Sequence, residues 1–523
     1  MGGFVAALDT PGTPRTRTPR PANTRPQRSL GSARRAPAPQ ASADGLRVPL
    51  LARPMASYYL IASASALLLG LGLVMVLSAS SVTSYASSGS SFSVFVKQLM
   101  WVAIGVPLLL LANRMSTRVL RMLAYPILLA GIGGLFLVLV PGIGVSAYGA
   151  TRWIGVGSFT LQPSELAKLG LALWGADLLV RKKRRLGEWR HLLIPLLPVA
   201  TLLAMLVMLE PDLGTTLVIV TILMTLLWVV GSPARLFAGL LSVIGMLVTY
   251  LAVAEPYRLA RLASFADPFK DSQDTGWQAV QGLYALASGG WWGVGLGASR
   301  EKWSYLPNAH TDFILAIIGE ELGLVGTLLV VVLFGVLAYG GIRVAQRSSD
   351  QFGRLVAAAI TAWLVGQALI NMGAVVGLLP ITGIPLPLIS FGGSSLLLTM
   401  FAIGILLSLA KTEPAAAQVI AARAASRSAH RSIGRKPRLG FLGLPGRKAQ
   451  KKRAAKGKRA AAGKAGAAKN ARTTRGRATA GARGSGSSRT SGRQARGATG
   501  GRARRTSLGS LSRRAGSSRS RRR

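Results

Sequence analysis

Three carboxylates lie where a polar loop runs into an apolar helix, in the segment Pro307–Gly323. Asp312 stands at the predicted start of this helix, and Glu320 and Glu321 follow eight and nine residues later. At helical rise the glutamates are about 12 to 14 Å further along, in an apolar stretch where an unpaired carboxylate is costly. Either Asp312 caps the helix and the glutamates pair with neighbouring helices, or Asp312 is a general base at a membrane surface.

A second set of ionisable residues lies in the segment Gln162–Lys168, which Arg152 precedes. Glu165 and Lys168 are three residues apart and therefore share one face of a helix. They either satisfy each other as a buried ion pair or bind a substrate.

Two further segments interrupt the apolar pattern. Glu210–Thr216 is a polar break between two apolar runs, and its Asp212 either stabilises a tight turn or faces the same surface as Arg152. Pro380–Ser395, which contains Ser390, is irregular and uncharged. Because non-helical backbone at membrane depth must be buried or line a polar cavity, we interpret this segment as a cavity wall.

The charge of the chain is divided unevenly between its ends and its middle. Of the net charge of +46, residues 1–55 contribute +7 and residues 411–523 contribute +32, so residues 56–410 form a nearly neutral, apolar body. Both ends are basic and poor in large apolar side chains, and we predict that both are disordered. The chain has no cysteine, which excludes disulfides, thiol nucleophiles and Cys-ligated zinc. No cleavable signal peptide is visible, because the first 55 residues are polar.

The body has the pattern of an all-α integral membrane protein with about ten transmembrane helices. A bilayer core of roughly 30 Å takes about 20 helical residues. The interruption of one run by Glu165, Lys168 and Asp177 leaves eight or nine spans as the alternative. The ten apolar runs are 58–79, 95–112, 122–140, 164–180, 192–209, 213–231, 236–254, 313–339, 355–379 and 394–410.

Basic residues concentrate in alternate short loops, within 114–121, 181–190, 235 and 343–354. By the positive-inside rule these loops face the cytoplasm, and an even number of spans places both basic tails there too. The opposite side then receives one large loop, residues 255–312, which is rich in aromatic residues and therefore expected to be ordered.

Within that loop, residues 276–288 have the pattern of a short amphipathic helix lying in the membrane interface. The glycines of Gly289–Gly297 follow no predicted strand, so close approach of the backbone to another element, or a turn of the chain in the membrane interface, explains them better than a nucleotide loop. Arg258, Lys302 and His310 are further candidate binding residues of the loop.

Several motifs closely resemble the SEDS (shape, elongation, division, sporulation) family, and more its division members than its elongation members. The resemblance extends through nearly all of residues 56–410. It is carried by Gly276–Gly282, Tyr305–Gly323, Leu386–Ser395, Arg152–Ile154, Gln162–Glu165 and Pro211–Thr215.

The resemblance implies a peptidoglycan glycosyltransferase that polymerises lipid II at the division septum of a bacterial plasma membrane, beside a class B penicillin-binding protein and other division proteins. The essential loop aspartate of the family falls on Asp312, and its functional glutamate and lysine fall on Glu165 and Lys168. Thr382 departs from the pattern, since some members have lysine there, which puts the contribution of this position to phosphate binding in doubt.

The chemistry fits the residues independently of the resemblance. Inverting transfer from a lipid diphosphate needs one base for the acceptor hydroxyl and positive charge for the leaving diphosphate. Asp312 is the candidate base, and the candidate binding residues are Arg152, Glu165, Lys168, Asp212, Arg258, Lys302, His310, Glu320 and Ser390. A divalent cation, Mg²⁺ or Mn²⁺, held by carboxylates is expected to assist, and no organic cofactor is expected.

Two functions from other classes compete with this hypothesis. A lipid II flippase would also keep polar residues inside a helical bundle, although here the polar groups gather at one side and not at the midplane. A non-catalytic scaffold would use the tails as docking arms. For the C-terminal tail we expect electrostatic binding to anionic lipid or to an acidic partner, because each basic residue near an anionic leaflet contributes roughly 1 kcal/mol.

Overall fold

The computed structural model describes residues 53–147, 150–156, 159–182, 194–254, 265, 267–270, 276–303 and 305–434. Arg258, residues 1–52 and residues 435–523 lie outside this part, so the predictions made for them stay predictions.

Helices dominate the described residues. Each of the ten predicted spans coincides with a helix, and residues 277–288 form the short helix predicted in the large loop. The helices are α1 (Ala56–Ser88), α2 (Ser93–Ala112), α3 (Thr117–Val138), α4 (Pro163–Arg181), α5 (Leu196–Leu209), α6 (Leu213–Val230), α7 (Ala234–Ala254), α8 (Trp277–Ser288), α9 (Ile314–Arg347), α10 (Gln351–Val375), α11 (Gly393–Ala410) and α12 (Pro414–Gly434).

Seven of these helices are long and apolar enough to cross a membrane, namely α1, α2, α3, α6, α9, α10 and α11. The chain is therefore a multi-pass membrane protein. Three other predicted spans have helices that are shorter, less apolar or charged, namely α4, α5 and α7. The total of ten crossings therefore stays a prediction.

The charged helix α4 lies at the centre of the bundle, where nearly all of its residues are buried. It packs against α3, α6 and α10. Its contact with α3 is close because glycines face backbone: a Cβ at Gly131 would lie 2.8 Å from Cα of Ala167, and one at Gly170 would lie 2.6 Å from Cα of Leu128. Small residues allow this approach inside membranes. The polar groups of α4 therefore belong to the protein interior, not to the lipid-facing surface.

A small antiparallel sheet of three strands precedes α4, in the order β1 (Gly144–Ala147), β2 (Ala150–Val156) and β3 (Phe159–Leu161). Ile154 on β2 pairs with both Gly144 and Leu161. The all-α prediction did not include this sheet, although the mostly helical class is confirmed. The sheet places Arg152 and Trp153 over the same end of the bundle as the start of α4.

At the opposite end of the bundle, basic side chains meet one buried carboxylate, that of Asp177, and one partly exposed carboxylate, that of Asp350. Arg181 Nε lies 2.7 Å from Asp177 Oδ2, and Arg121 Nη2 lies 3.3 Å from Asp350 Oδ1. The alternation of basic and weakly charged loops along the sequence therefore corresponds to two ends of the bundle. Which end faces the cytoplasm rests on the loop charges alone.

The first part of the predicted disordered tail is helical in the structure. Residues Pro414–Gly434 form α12, and Glu413 just before it is buried. Burial raises the pKa of Glu413, while Ser57, Arg343 and Arg347 lower it. The prediction of disorder from residue 411 is wrong for this stretch, because Glu413 and Ala416 pack against the bundle.

Candidate active site

A cavity of about 400 Å³ opens at the end of the bundle that carries the sheet. Its wall is built by the sheet and the start of α4, the α5–α6 turn, α8, the loop before α9, and the irregular segment before α11. The prediction that Pro380–Ser395 forms a cavity wall is therefore confirmed. Five of the predicted site residues line the cavity, namely Arg152, Glu165, Asp212, His310 and Asp312.

Phe313 occupies the N-cap position of α9, and Asp312 directly precedes it, so the aspartate is not the helix cap. Its side chain is partly exposed to the cavity, and among the described residues no group of the protein donates a hydrogen bond to its carboxylate. Burial raises the pKa of Asp312 to about 6, Arg152 lowers it, and Asp212 raises it further. A carboxylate with a pKa close to neutral and free oxygen atoms is suited to accept a proton.

The guanidinium of Arg152 is held in place by backbone carbonyls of the α5–α6 turn. Nε donates to the carbonyl of Glu210 over 3.1 Å, and Nη2 donates to that of Pro211 over 2.6 Å. Nη1 lies 3.9 Å from Oδ2 of Asp212. A Cβ built at Gly383 would lie 3.9 Å from this Nη1 and 3.7 Å from Oδ2 of Asp312, so both groups flank the same point of the wall.

The turn that holds Arg152 is itself stabilised by Asp212. The Asp212 carboxylate accepts hydrogen bonds from the backbone N–H of Thr215 over 2.9 Å and from its hydroxyl over 2.8 Å, and so caps α6. The turn-stabilising alternative is therefore realised, and Asp212 also lines the cavity. Glu210 is buried beside it, and burial raises the pKa of Glu210 to about 8, with a further rise from Asp212. Glu210 is therefore neutral at pH 7.

Glu165 and Lys168 form the buried ion pair that the sequence allowed. Lys168 Nζ donates to Oε1 of Glu165 over 2.8 Å and to Oε1 of Gln367 over 2.9 Å, and it lies 5.1 Å from the ring centre of Trp363. The second carboxylate oxygen, Oε2, has no hydrogen-bond partner among the described residues. Glu165 lines the cavity, so the ion pair lies in the cavity wall.

Two amides of α10 join the walls of the cavity, and the sequence analysis missed both. Gln367 accepts from Lys168 and from Trp363 Nε1 and donates to the carbonyl of Pro385 over 2.9 Å. Asn371, one turn later, donates to the carbonyls of Asp312 over 2.7 Å and Ile384 over 2.8 Å. Uncharged amides four residues apart on an apolar helix are the signal that could have identified them.

His310 and Ser390 support the wall. The ring of His310 lies 5.8 Å from that of Phe391, and burial lowers the pKa of His310, so its imidazole is neutral. Ser390 donates to the carbonyl of Thr311 over 2.6 Å and accepts from the N–H of Leu386 over 2.8 Å. Ser390 thus ties the irregular segment to the loop before α9, and it does not line the cavity.

Glu320 and Lys302 do not belong to this cavity. Glu320 accepts from the hydroxyl of Ser299 over 2.5 Å and from the N–H of Arg300 over 2.7 Å. Lys302 Nζ donates to the carbonyl of Gly297 over 2.5 Å and lies 3.5 Å from Oε1 of Glu321. The prediction that both bind substrate is not supported by their positions, because their polar atoms are used to hold the large loop.

The carboxylates do not gather into a metal centre. Within the described part of the chain, no group of three or more His, Cys, Asp or Glu side chains could hold a metal ion. Asp212 and Glu165 are engaged by Thr215 and Lys168. The described residues therefore show no preformed metal site, and the expected Mg²⁺ or Mn²⁺ stays a prediction to which we assign no step.

Comparison with known proteins identifies one family. Residues 59–414 match the family FTSW_RODA_SPOVE, described as cell cycle protein. Over 372 residues the chain is 47% identical to the probable peptidoglycan glycosyltransferase FtsW of Mycobacterium tuberculosis, and the match covers 71% of each protein.

Solved structures agree with this match. A structure of a peptidoglycan synthase complex that coordinates polymerisation and crosslinking aligns with a TM-score of 0.57 at 28% identity, covering 68% of this chain and 97% of that chain. The rod shape determining protein RodA of Thermus thermophilus aligns with a TM-score of 0.50 at 28% identity and the same coverage. The chain therefore belongs to the FtsW/RodA/SpoVE family of cell cycle proteins, the SEDS family, as an FtsW-type member.

Proposed function

We propose that this protein is a peptidoglycan glycosyltransferase that polymerises lipid II into glycan strands during cell division. The single observation that carries this proposal is the carboxylate of Asp312, which faces the cavity beside Arg152 and receives no hydrogen bond from the described residues. The relatives named as FtsW support the activity and the septal role.

The proposed step is an inverting displacement at the anomeric carbon of a lipid diphosphate donor. The acceptor hydroxyl oxygen forms the new bond to this carbon while its proton passes to the carboxylate of Asp312. The bond between the anomeric carbon and the diphosphate oxygen breaks, and the electron pair leaves with undecaprenyl diphosphate. A diphosphate needs no proton to leave at neutral pH, so one general base is sufficient.

Arg152 is the cation that best fits the leaving group. Four of the predicted binding residues are Arg or Lys, and among the described residues Arg152 is the one of them that lines the cavity, since Lys168 is bonded to Glu165 and Lys302 holds the large loop. Its guanidinium is preorganised by two carbonyls, so little reorganisation accompanies charge development. Arg258, the fourth, lies outside the described residues.

We further propose that the protein works beside a class B penicillin-binding protein, which crosslinks the strands, and that the basic termini lie in the cytoplasm. The similarity to a peptidoglycan synthase complex supports the partnership. The loop charges support the orientation.

The test is polymerisation of labelled lipid II by the purified protein with its penicillin-binding partner. Asp312→Asn keeps the size of the side chain and removes the base, so the rate should fall by several orders of magnitude while folding is retained. Asp350→Asn, which changes a partly exposed carboxylate at the other end of the bundle, is the control and should polymerise normally. Near-normal polymerisation by Asp312→Asn would contradict the assignment. Loss of lipid translocation with polymerisation intact would favour a flippase.

A further inference from the structure

An uncharged stretch of the large loop exposes large apolar side chains. Residues 289–298 contain no charged residue. Trp291 is 70% exposed, Trp292 82%, Val294 46% and Leu296 59%. A cluster of this kind on a protein surface marks contact with another apolar phase or molecule.

This stretch is bonded to the backbone of α9 at a break in the helix. Gly323 has φ 68° and ψ −164°, which interrupts the helical hydrogen bonds. The carbonyls of Glu320 and Glu321 accept instead from the N–H groups of Val294 over 2.9 Å and Gly295 over 3.0 Å. The loop therefore satisfies helix groups that the break would leave unpaired.

The backbone N–H groups that follow the break also find their acceptors in the loop. The N–H of Leu324 donates to the carbonyl of Gly290 over 2.9 Å, and that of Val325 donates to the carbonyl of Trp291 over 3.4 Å. A Cβ at Gly293 would lie 2.2 Å from the carbonyl oxygen of Glu321, so this loop segment lies directly against the helix. The predicted close approach of this glycine-rich segment is confirmed.

Side chains lock the loop just beyond the uncharged stretch. The Ser78 hydroxyl on α1 lies 2.7 Å from both carboxylate oxygens of Glu321, and Lys302 lies 3.5 Å from Oε1. Because Glu321 and Lys302 are buried, the height of the loop along α9 is set by both backbone and side-chain contacts.

The helix beside the loop exposes an apolar stripe that continues below it. Since α9 is long and apolar enough to span a bilayer, this stripe is its lipid-facing surface. The loop is hydrogen-bonded to its first two members, so the exposed tryptophans lie at the upper edge of the hydrocarbon-facing band. The stripe comprises Leu324, Val325, Leu328, Leu329, Val331 and Val332.

We infer that Trp291, Trp292, Val294 and Leu296 form a membrane-interface anchor that inserts at the boundary between headgroups and acyl chains on the cavity side. Tryptophan prefers this boundary because its ring is apolar and its N–H is polar. The first charged residue after the stretch, Arg300, is exposed, and there the chain would return to the headgroups and water. Because α9 starts next to Asp312, the anchor also holds the cavity at a constant height above the bilayer, whichever reaction the cavity performs.

The absence of cysteine from the sequence makes the test direct, since one introduced cysteine gives one label. We would attach a spin label to Trp292→Cys, and separately to Leu296→Cys, which leaves both tryptophans intact. The full chain would be reconstituted in vesicles of phosphatidylglycerol and phosphatidylethanolamine. Ser349→Cys, in the exposed α9–α10 connection, is the matched aqueous control.

For each label we would measure the ratio of its collision rate with dissolved oxygen, which enters the bilayer, to its collision rate with a water-soluble nickel chelate. This ratio should be severalfold higher for both anchor labels than for the label at Ser349. If labels at Trp292 and Leu296 react with the nickel chelate as freely as the control, the anchor does not exist. If they become protected only when the penicillin-binding partner is added, the surface docks a protein, and the membrane assignment is overturned.

Discussion

The side-chain amide of Asn371 donates one hydrogen bond to the backbone carbonyl of Asp312 and another to that of Ile384, over 2.7 and 2.8 Å. Both N–H atoms of this amide are therefore used to join the loop before α9 to the irregular segment before α11. Gln367, one turn earlier, holds the same segment through Pro385. The position of the candidate base thus depends on α10, which has no charged residue near the cavity.

We predict that Asn371→Ala lowers lipid II polymerisation by about 10- to 100-fold, because small displacements of a catalytic group cost this much. The substitution also leaves the buried carbonyl of Ile384 and the partly buried carbonyl of Asp312 without the donor they have in Asn371. Thr361→Ala is a matched control on the same helix, since the Thr361 hydroxyl donates within α10, to the carbonyl of Ala357, and to no other helix of the described part of the chain. Activity of Asn371→Ala equal to that of Thr361→Ala would show that the amide does not position Asp312.

The acidic side of the pH profile should report Asp312. Because burial raises the pKa of Asp312 to about 6, the base becomes protonated below this pH, and the rate should fall about tenfold per pH unit. Residual activity of Asp312→Asn should not show this dependence. A wild-type rate that stays constant from pH 7 to pH 5 would contradict the assignment.

The same carboxylate should destabilise the folded protein at neutral pH. A pKa raised from 3.8 to about 6 contributes stability that is fully present below pH 3.8 and is lost as the pH rises through 6. Asp312→Asn should therefore have a higher Tm than the wild type at pH 7.5 and a similar Tm near pH 4. Opposite changes in activity and Tm separate a catalytic loss from unfolding.

Much of the fold can be predicted from the sequence. An apolar run of about 20 residues in a membrane can satisfy its backbone hydrogen bonds in few forms other than a helix. The helix in the large loop is predictable from its amphipathic spacing. The close packing of the glycines that follow this helix is predictable because no strand precedes them. The sheet does not follow, because strands of three to seven residues carry little periodic signal.

The site is predictable in its charged residues and not in their partners. Asp312, Glu165 and Arg152 stand out in the sequence because a charged side chain near membrane depth is costly and is kept only where it has a structural or functional role. The partners of Glu320, which are Ser299 and the N–H of Arg300, are not predictable, because they lie in a loop whose path the sequence does not reveal.

Variants of Glu165 and Lys168 can show whether this ion pair is needed for stability alone or also for activity. Each single change leaves a buried charge unpaired, whereas Glu165→Gln combined with Lys168→Met removes both charges. We expect the double variant to be more stable than either single variant and still inactive, because Glu165 lines the cavity and the variant has neither charge of the pair there. Thermal unfolding and polymerisation should be measured on all three. A double variant that polymerises normally would reduce the pair to a structural role.

The C-terminal tail should be dispensable for polymerisation only beyond α12. Lys411 donates to the carbonyl of Asn113 over 3.0 Å and lies 5.4 Å from the ring centre of Tyr58, and Glu413 is buried. Truncation after Lys411 removes Glu413 and α12 and should lower the Tm. Truncation after Gly434 removes most of the positive charge without touching these contacts, and it should retain polymerisation near that of the full chain.

The basic residues beyond Gly434 should instead determine contact with anionic surfaces, since each contributes roughly 1 kcal/mol near an anionic leaflet. In vesicles rich in phosphatidylglycerol, trypsin should cleave the tail of the full chain more slowly than in phosphatidylcholine vesicles. Septal localisation in cells should weaken when the tail is removed. Equal cleavage rates in both lipids would rule out binding of the tail to anionic lipid. A protein truncated after Gly434 that inserts, binds its penicillin-binding partner and cannot polymerise would show that the tail acts on the cavity from the far side of the bundle.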